Sequence, residues 1–233
     1  MGWPRQAPDR SGLIDWEALR LSLLLGAATV GILLPFAVLI GHWLATTRFG
    51  GRAAIEAALT LPLVLPPTVI GFYLLVGMGP HSIVGQMWRV VFGQSLVFSF
   101  QGVLIASVLV NLPFAIQPCQ RGFEAIDHEL RDAAAMCGHK VWQRLWRIEL
   151  PLARSGIVTG AVFTFAHTLG EFGVVLMVGG SIPGETRTLA LSIYDRVQAF
   201  DNAGAARMAA ILLLISTIAV AISFRIGRRR GLG

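Results

Sequence analysis

Residues 21–47 read LSLLLGAATVGILLPFAVLIGHWLATT, a run bounded by Arg20 and Arg48 that holds no Lys, Arg, Asp or Glu. A bilayer core of roughly 30 Å takes about 20 apolar residues of helix to cross, so this stretch is long enough to span one. Its apolar length exceeds the ~7–15 residues of a signal-peptide core. Its N-terminal flank also mixes Asp9, Asp15 and Glu17 with Arg5, Arg10 and Arg20. It therefore reads as a retained span, with Pro35 as a point where it could kink.

The same pattern recurs outward along the chain. No charged residue lies between Glu56 and Arg89, or between Arg89 and Arg121. A fourth apolar tract, Ser155 to Gly179, is interrupted only by Glu171, and a fifth runs from Met208 to Phe224. Over 233 residues the chain is 55% hydrophobic and 14% charged, against about 25% charged in soluble domains. The mean hydropathy is +0.67. These features predict an all-α membrane protein formed by one domain over residues 1–233, with five spans at about 19–44, 53–77, 96–118, 152–179 and 208–224. Between the spans, Gly79–Phe92 is expected to be an external loop with Trp88 as an interfacial anchor. Ser181–Arg207 is expected to be a second external loop, with an amphipathic piece near Leu189–Val197.

A net charge of +6 raises the question of nucleic acid, but membrane topology accounts for the basic residues better. One side would hold Arg48, Arg52, Arg121, Arg131, Lys140, Arg144, Arg147, Arg154, Arg225, Arg228, Arg229 and Arg230, which is 12 of the 19 Lys and Arg. The positive-inside bias makes that side cytoplasmic, with the N-terminus outside and the C-terminus inside. Arg228–Arg230 then becomes an anchor in the lipid headgroups, and no nucleic-acid partner is expected. Cys119 and Cys137 fall at the inner face with no metal-ligand spacing and read as inert thiols. No phosphate-cradling Gly loop ending in Lys and Ser/Thr is present, so this chain is not expected to bind ATP.

Within the second span, Leu61-Pro62-Leu63-Val64-Leu65-Pro66-Pro67 places three prolines in a short run. They remove backbone donors and break the helix. Broken backbone at membrane depth is tolerated only against protein or a water-filled cavity, which makes Pro66, Pro67 and Thr68 candidates for lining a pathway. In the fourth span, Glu171 costs roughly 2.5–3.5 kcal/mol to insert unless it is sheltered. On a continuous helix, Gly160, Thr164, His167, Thr168 and Glu171 would share one face. The third span offers Gln101, Ser107 and Asn111. These faces could line a hydrated path, or they could be hydrogen-bonding glue between helices. Ser107 fits the glue reading better and Glu171 the pathway reading, though Glu171 could equally serve as a structural latch.

The charged segment 120–151 is the other candidate site. Ala133, Ala134 and Ala135 favour helix and leave a small-sided surface, and Gly138 then breaks or caps that helix. Trp142, Leu145 and Trp146 follow among basic residues, and Pro151 would end the piece and start the fourth span. Such a loop could lie on the membrane with its tryptophans in the headgroups, or it could be a partner surface.

The order Asp132-Ala133-Ala134, Gly138, Ile148-Glu149-Leu150-Pro151 resembles the "EAA…G…I-x-L-P" loop of ABC importer permeases, with Asp132 in place of the usual Glu. Leu61–Gly71, Leu169-Gly170-Glu171-Phe172-Gly173, Ile182–Leu189 and Ile193-Tyr194 are similar to the molybdate-type permeases in particular. His167 departs from the Arg that is common there. The resemblance implies a type I importer permease of the inner membrane. In such a machine two copies form the pathway, two ATP-binding cassette subunits carry ATP and Mg, and a periplasmic or extracellular binding protein delivers the oxyanion. It implies a docking role for Asp132, Ala133, Ala134, Gly138, Ile148, Leu150 and Pro151. Sulfate/thiosulfate and tungstate permeases share much of the pattern. A reading of another class is a stand-alone channel or a transporter in which His167 and Glu171 relay protons.

Overall fold

The computed structural model describes residues 14–138 and 140–228, so Arg229 and Arg230 of the expected anchor lie outside the described residues. Every regular element among the described residues is helical. The first, α1 (Trp16–Thr46), starts where Asp15 Oδ1 accepts the Ala18 N–H at 3.0 Å, satisfying an orphan donor of the first turn. Its buried residues, including Leu19, Ser22, Gly26, Thr29, Leu33, Ala37, Gly41 and Leu44, recur in steps of three and four. They form a single stripe. Leu24, Ile32, Phe36, Leu39 and Trp43 stay exposed elsewhere on the helix, as suits a helix with lipid beyond it. The helix runs unbroken through Pro35.

The stripe on α1 packs against α6 (Leu112–Glu124) and α9 (Leu150–Gly170), and these two also cross each other. At the crossing, a Cβ on Gly156 would stand 2.4 Å from the Pro118 carbonyl and 2.8 Å from the Gly122 Cα. Lipid gives helices little hydrophobic reason to associate, so close backbone approach between small residues supplies the packing. Ala115, Ile116 and Cys119 of α6 complete a core with Leu33, Ala37 and Leu44.

The second expected span is broken at its prolines. α2 (Arg52–Val64) and α3 (Pro67–Met78) meet at an angle of 106°, with Leu65 extended between them. The following segment contains more than a loop, because α4 (Ile83–Phe92) forms there. Ser82 Oγ caps the Gly85 N–H at 2.9 Å, and Gly93 closes the helix in the left-handed region. The third expected span begins later and ends later than residues 96–118. It consists of α5 (Phe100–Val110) and α6, bent by 41° at Asn111. Helix persists beyond residue 118 because the polar end of α6 has partners on α2: Gln117 donates to Thr60, Gln120 to Glu56, and Glu124 accepts from Arg52.

The charged segment folds as α7 (His128–Met136), then α8 (Val141–Arg144), then a five-residue π turn, Leu145–Glu149, that leads into α9. Val141–Gly170 is one helical rod of 30 residues. The helix that carries the fourth span therefore begins before residue 152, and Pro151 does not separate it from the loop. Pro151 has no N–H to give to the carbonyl four residues back. The widened turn just before it, in which the Leu150 N–H reaches the Leu145 carbonyl, carries the helix across that gap.

The same span also stops early, at Gly170. After Glu171 and Phe172 a short α10 (Gly173–Gly179) turns away to pack against α3 and α5, around Met78, Leu96, Val97, Ala106, Val110, Val174 and Val178. α11 (Leu189–Gln198) fills the expected amphipathic stretch, and α12 (Asn202–Arg228) is the last span. Ahead of α12, Asp201 accepts from the Gly204 N–H at 2.9 Å and from Arg196 Nη1 at 2.7 Å. The backbone N–H and then the guanidinium hold its carboxyl below the usual range. Among the described residues three helices are long and apolar enough to cross a membrane, or five spans if each bent pair counts as one.

Candidate functional site

Each of three spans is interrupted, and the interruptions meet. They fall at Leu65–Pro66 between α2 and α3, at Asn111 between α5 and α6, and at Glu171–Phe172 between α9 and α10. A Cβ on Gly173 would lie 2.8 Å from the Pro67 Cβ and 3.7 Å from the Thr68 nitrogen, so the first and third breaks are in contact. His167 joins the second to the third: its Nδ1 is 3.2 Å from Asn111 Oδ1, and its Nε2 is 3.8 Å from Glu171 Oε2. The Phe114 ring stacks on the imidazole at 4.0 Å. Asn111 is fully buried and donates Nδ2 to the Ser107 carbonyl at 2.8 Å. With the amide so oriented, its oxygen accepts from the imidazole.

Glu171 is not on the face of α9. Its backbone is extended and its N–H reaches only the Thr168 carbonyl, because the helix has ended. Its Oε1 instead accepts the Val174 N–H at 3.0 Å. A carboxylate at a helix start satisfies an orphan donor and complements the positive end of the helix dipole. The face shared by Gly160, Thr164, His167 and Thr168 stands without it. Thr168 Oγ1 donates to the Thr164 carbonyl at 2.8 Å, while Thr164 Oγ1 is buried with no hydrogen-bond partner among the described residues. Pro66, Pro67 and Thr68 are exposed in the single chain. No side chain caps α3, which starts at Pro67. The expected pathway residues thus gather around one junction, with Thr164 and Thr168 below it along α9 and Ser107 beside Asn111.

At the other end of the rod lies the docking candidate. Asp132, Ala133, Gly138 and Pro151 are exposed, Ala134 is buried, and Ile148 and Leu150 are half-buried. Gly138 follows α7 with φ of +78°, the left-handed conformation that glycine adopts without strain at a helix end. Leu130, Met136, Val141, Trp142 and Trp146 are all exposed, and the two indoles lie 6.2 Å apart.

Two polar groupings were not foreseen from sequence. Glu149, fully buried under the loop, is 2.5 Å from His42 Nε2, 2.9 Å from Arg144 Nε and 3.6 Å from Arg131 Nε. The available signal was a carboxylate between Ile148 and Leu150 at the head of an apolar tract, where it needs a cationic partner. The second is a cavity of about 360 Å³ between α2 and α6, where Arg52 bridges Glu56 at 2.8 Å and Glu124 at 2.6 Å.

The chain matches, over residues 34–231, the family described as "Binding-protein-dependent transport system inner membrane component". It is 46% identical to the molybdenum transport system permease protein ModB of Azotobacter vinelandii, over 87% of this chain and 89% of that protein. It is 36% identical to ModB of Escherichia coli K12, over 93% and 96%. The sulfate transport system permease protein CysW of Synechocystis is more distant, 30% identical over 92% of this chain and 78% of its own length. In fold the chain resembles the crystal structure of a bacterial ABC transporter involved in the import of the acidic polysaccharide alginate, with a TM-score of 0.74, 16% identity, and coverage of 93% of this chain and 79% of that one. The match over most of the chain and the identity with these permeases agree: this protein belongs to the family of inner-membrane components of binding-protein-dependent transport systems.

Proposed function

We propose that the chain is the membrane-spanning subunit of an ATP-driven molybdate importer. It works as a pair of copies, with two ATP-hydrolysing subunits on the cytoplasmic side and an external binding protein that delivers the oxyanion. ATP and Mg belong to the partner, and this chain supplies the path. The N-terminus lies outside and the C-terminus inside, as the distribution of basic residues favours. Molybdate is preferred over sulfate because the molybdenum permeases are the nearer relatives, at 46% and 36% identity against 30%.

The observation that carries the reading is the single rod Val141–Gly170, about 45 Å long at ~1.5 Å per residue. One end presents Trp142 and Trp146 to a partner, and the other carries Thr164, His167 and Thr168 at the junction of broken helices. A load applied at the loop is applied to the same element that lines the path. Nucleotide binding that favours one arrangement of the ATPase pair then favours one arrangement of the pathway. A dianion passing the junction would meet the part-exposed His167 imidazole, with Asn111, Thr164 and Thr168 buried behind it and Glu171 Oε1 accepting the Val174 N–H.

The test is co-purification of the tagged chain with its ATPase subunit, together with competition calorimetry of molybdate, tungstate and sulfate on the binding protein. Absence of the ATPase rejects the importer. A preference of the binding protein for sulfate rejects the cargo and leaves the machine standing.

A further inference from the structure

Glu149 is used by neither the docking surface nor the pathway, yet it is fully buried and faced by two arginines and an imidazole. An unpaired carboxylate at such a site would be costly, and its partners come from separate elements. His42 belongs to α1, Arg131 to α7 and Arg144 to α8, at 2.5, 3.6 and 2.9 Å. Arg131 also donates Nη2 to the Phe123 carbonyl of α6 at 2.5 Å, and the Phe123 ring stands edge-on to His42 at 5.1 Å. Glu149 itself closes the π turn at the head of α9. Five helices are therefore tied to one carboxylate.

The surroundings make this tie stiff. Phe123, Ile126, Leu145 and Ala153 pack as a buried cluster here, with Val38, Ala45, Leu150 and Ile157 against them. Both arginine side chains are largely shielded, with 7% and 21% of their surface accessible. Salt screens such buried charges weakly, and pulling the loop away from Glu149 as a whole would leave its carboxylate without either arginine in apolar surroundings. Partial loosening is disfavoured, so the loop follows α1, α6 and α9 or leaves them altogether.

We propose that Glu149 is a positioning residue for energy coupling. It locks the α7–α8 docking loop to α1, α6 and α9, so that a displacement imposed on the loop reaches the junction of broken helices instead of being lost as bending at the root of the loop. The proposal rests on the importer reading.

The test uses the assembled transporter with spin labels at Thr46→Cys on α1 and Glu129→Cys on α7, in a background of Cys119→Ala and Cys137→Ser. Labelled subunits are diluted so that each complex carries one. The expected result is the same narrow distance peak in the nucleotide-free and ATP-trapped states. Glu149→Gln is expected to broaden that peak and to lower the ions transported per ATP by about tenfold, with the ATPase subunit still co-purifying. His42→Gln, which removes one of the partners, should do the same to a smaller degree. A peak that moves with nucleotide in the otherwise unaltered chain overturns the proposal, even if Glu149→Gln fails to assemble. So does a Glu149→Gln transporter with unchanged peak width and unchanged transport per ATP. A chain that binds no ATPase at all sinks the importer reading and this proposal with it. A working transporter whose peak moves sinks this proposal alone.

Discussion

Gly138 separates two effects that are usually confounded. Its φ of +78° costs most residues about 1–2 kcal/mol, with Asn and Asp tolerating it best, and a Cβ built there meets nothing within 4 Å among the described residues beyond its chain neighbours. Asn and Asp are thus matched in shape and strain and differ in charge. Gly138→Asn is expected to keep most of the transport rate, while Gly138→Asp loses it with membrane insertion unchanged. Uptake assays on both, with immunoblots of the membrane fraction, check this. Equal rates would remove Gly138 from the docking contact. Glu171 and Ser107 form a second contrast. Glu171→Ala removes the cap of α10 and should cost about 1 kcal/mol of stability or more, with transport reduced. The buried Ser107 hydroxyl has no hydrogen-bond partner among the described residues, so Ser107→Ala should be neutral or slightly stabilising. Thermal unfolding of the purified variants, run beside uptake, tests the pair.

Among the elements, the α6–α9 crossing is the tightest constraint. Gly156→Val would force side-chain atoms into the Pro118 carbonyl and Gly122, and overpacking of this kind costs about 1–3 kcal/mol. Gly31, with open space around it, should accept Ala with no loss. Melting temperatures in detergent distinguish the two sites. The elements also show what could be read in advance. The helices were legible because runs such as residues 21–47 exclude charge over the length of a bilayer. The break at Pro66 was legible because proline chemistry is local. The break at Asn111 carried no comparable local signal. The one at Glu171 is hidden because the run to Gly170 continues the helical face up to it, and a carboxylate three residues before Val174 gives no local sign that it caps a new helix. Pro151 read as a stop because the four-residue hydrogen-bond rule forbids it, whereas the chain satisfies a five-residue bond instead. The Glu149 cluster depends on His42, 107 residues away, and no local pattern reports a contact of that range.

At the scale of the whole molecule, the exposed apolar faces and the docking loop do different work. Faces such as Ile83, Val84, Met87, Val90 and Val91 of α4 suit lipid or a second copy. The loop, with its exposed indoles on a charged segment, suits a protein partner. The rod from Val141 to Gly170 runs unbroken from that loop to the junction of broken helices, and under the proposed function this continuity would let ATP hydrolysis by another subunit drive movement here. The most direct measurement is molybdate uptake into vesicles reconstituted with the chain, its ATPase subunit and the binding protein, with ATP consumption followed in parallel. The account predicts uptake only when all three proteins and ATP are present, abolished by Gly138→Asp. Uptake that proceeds at the same rate without ATP or without the ATPase subunit would contradict it.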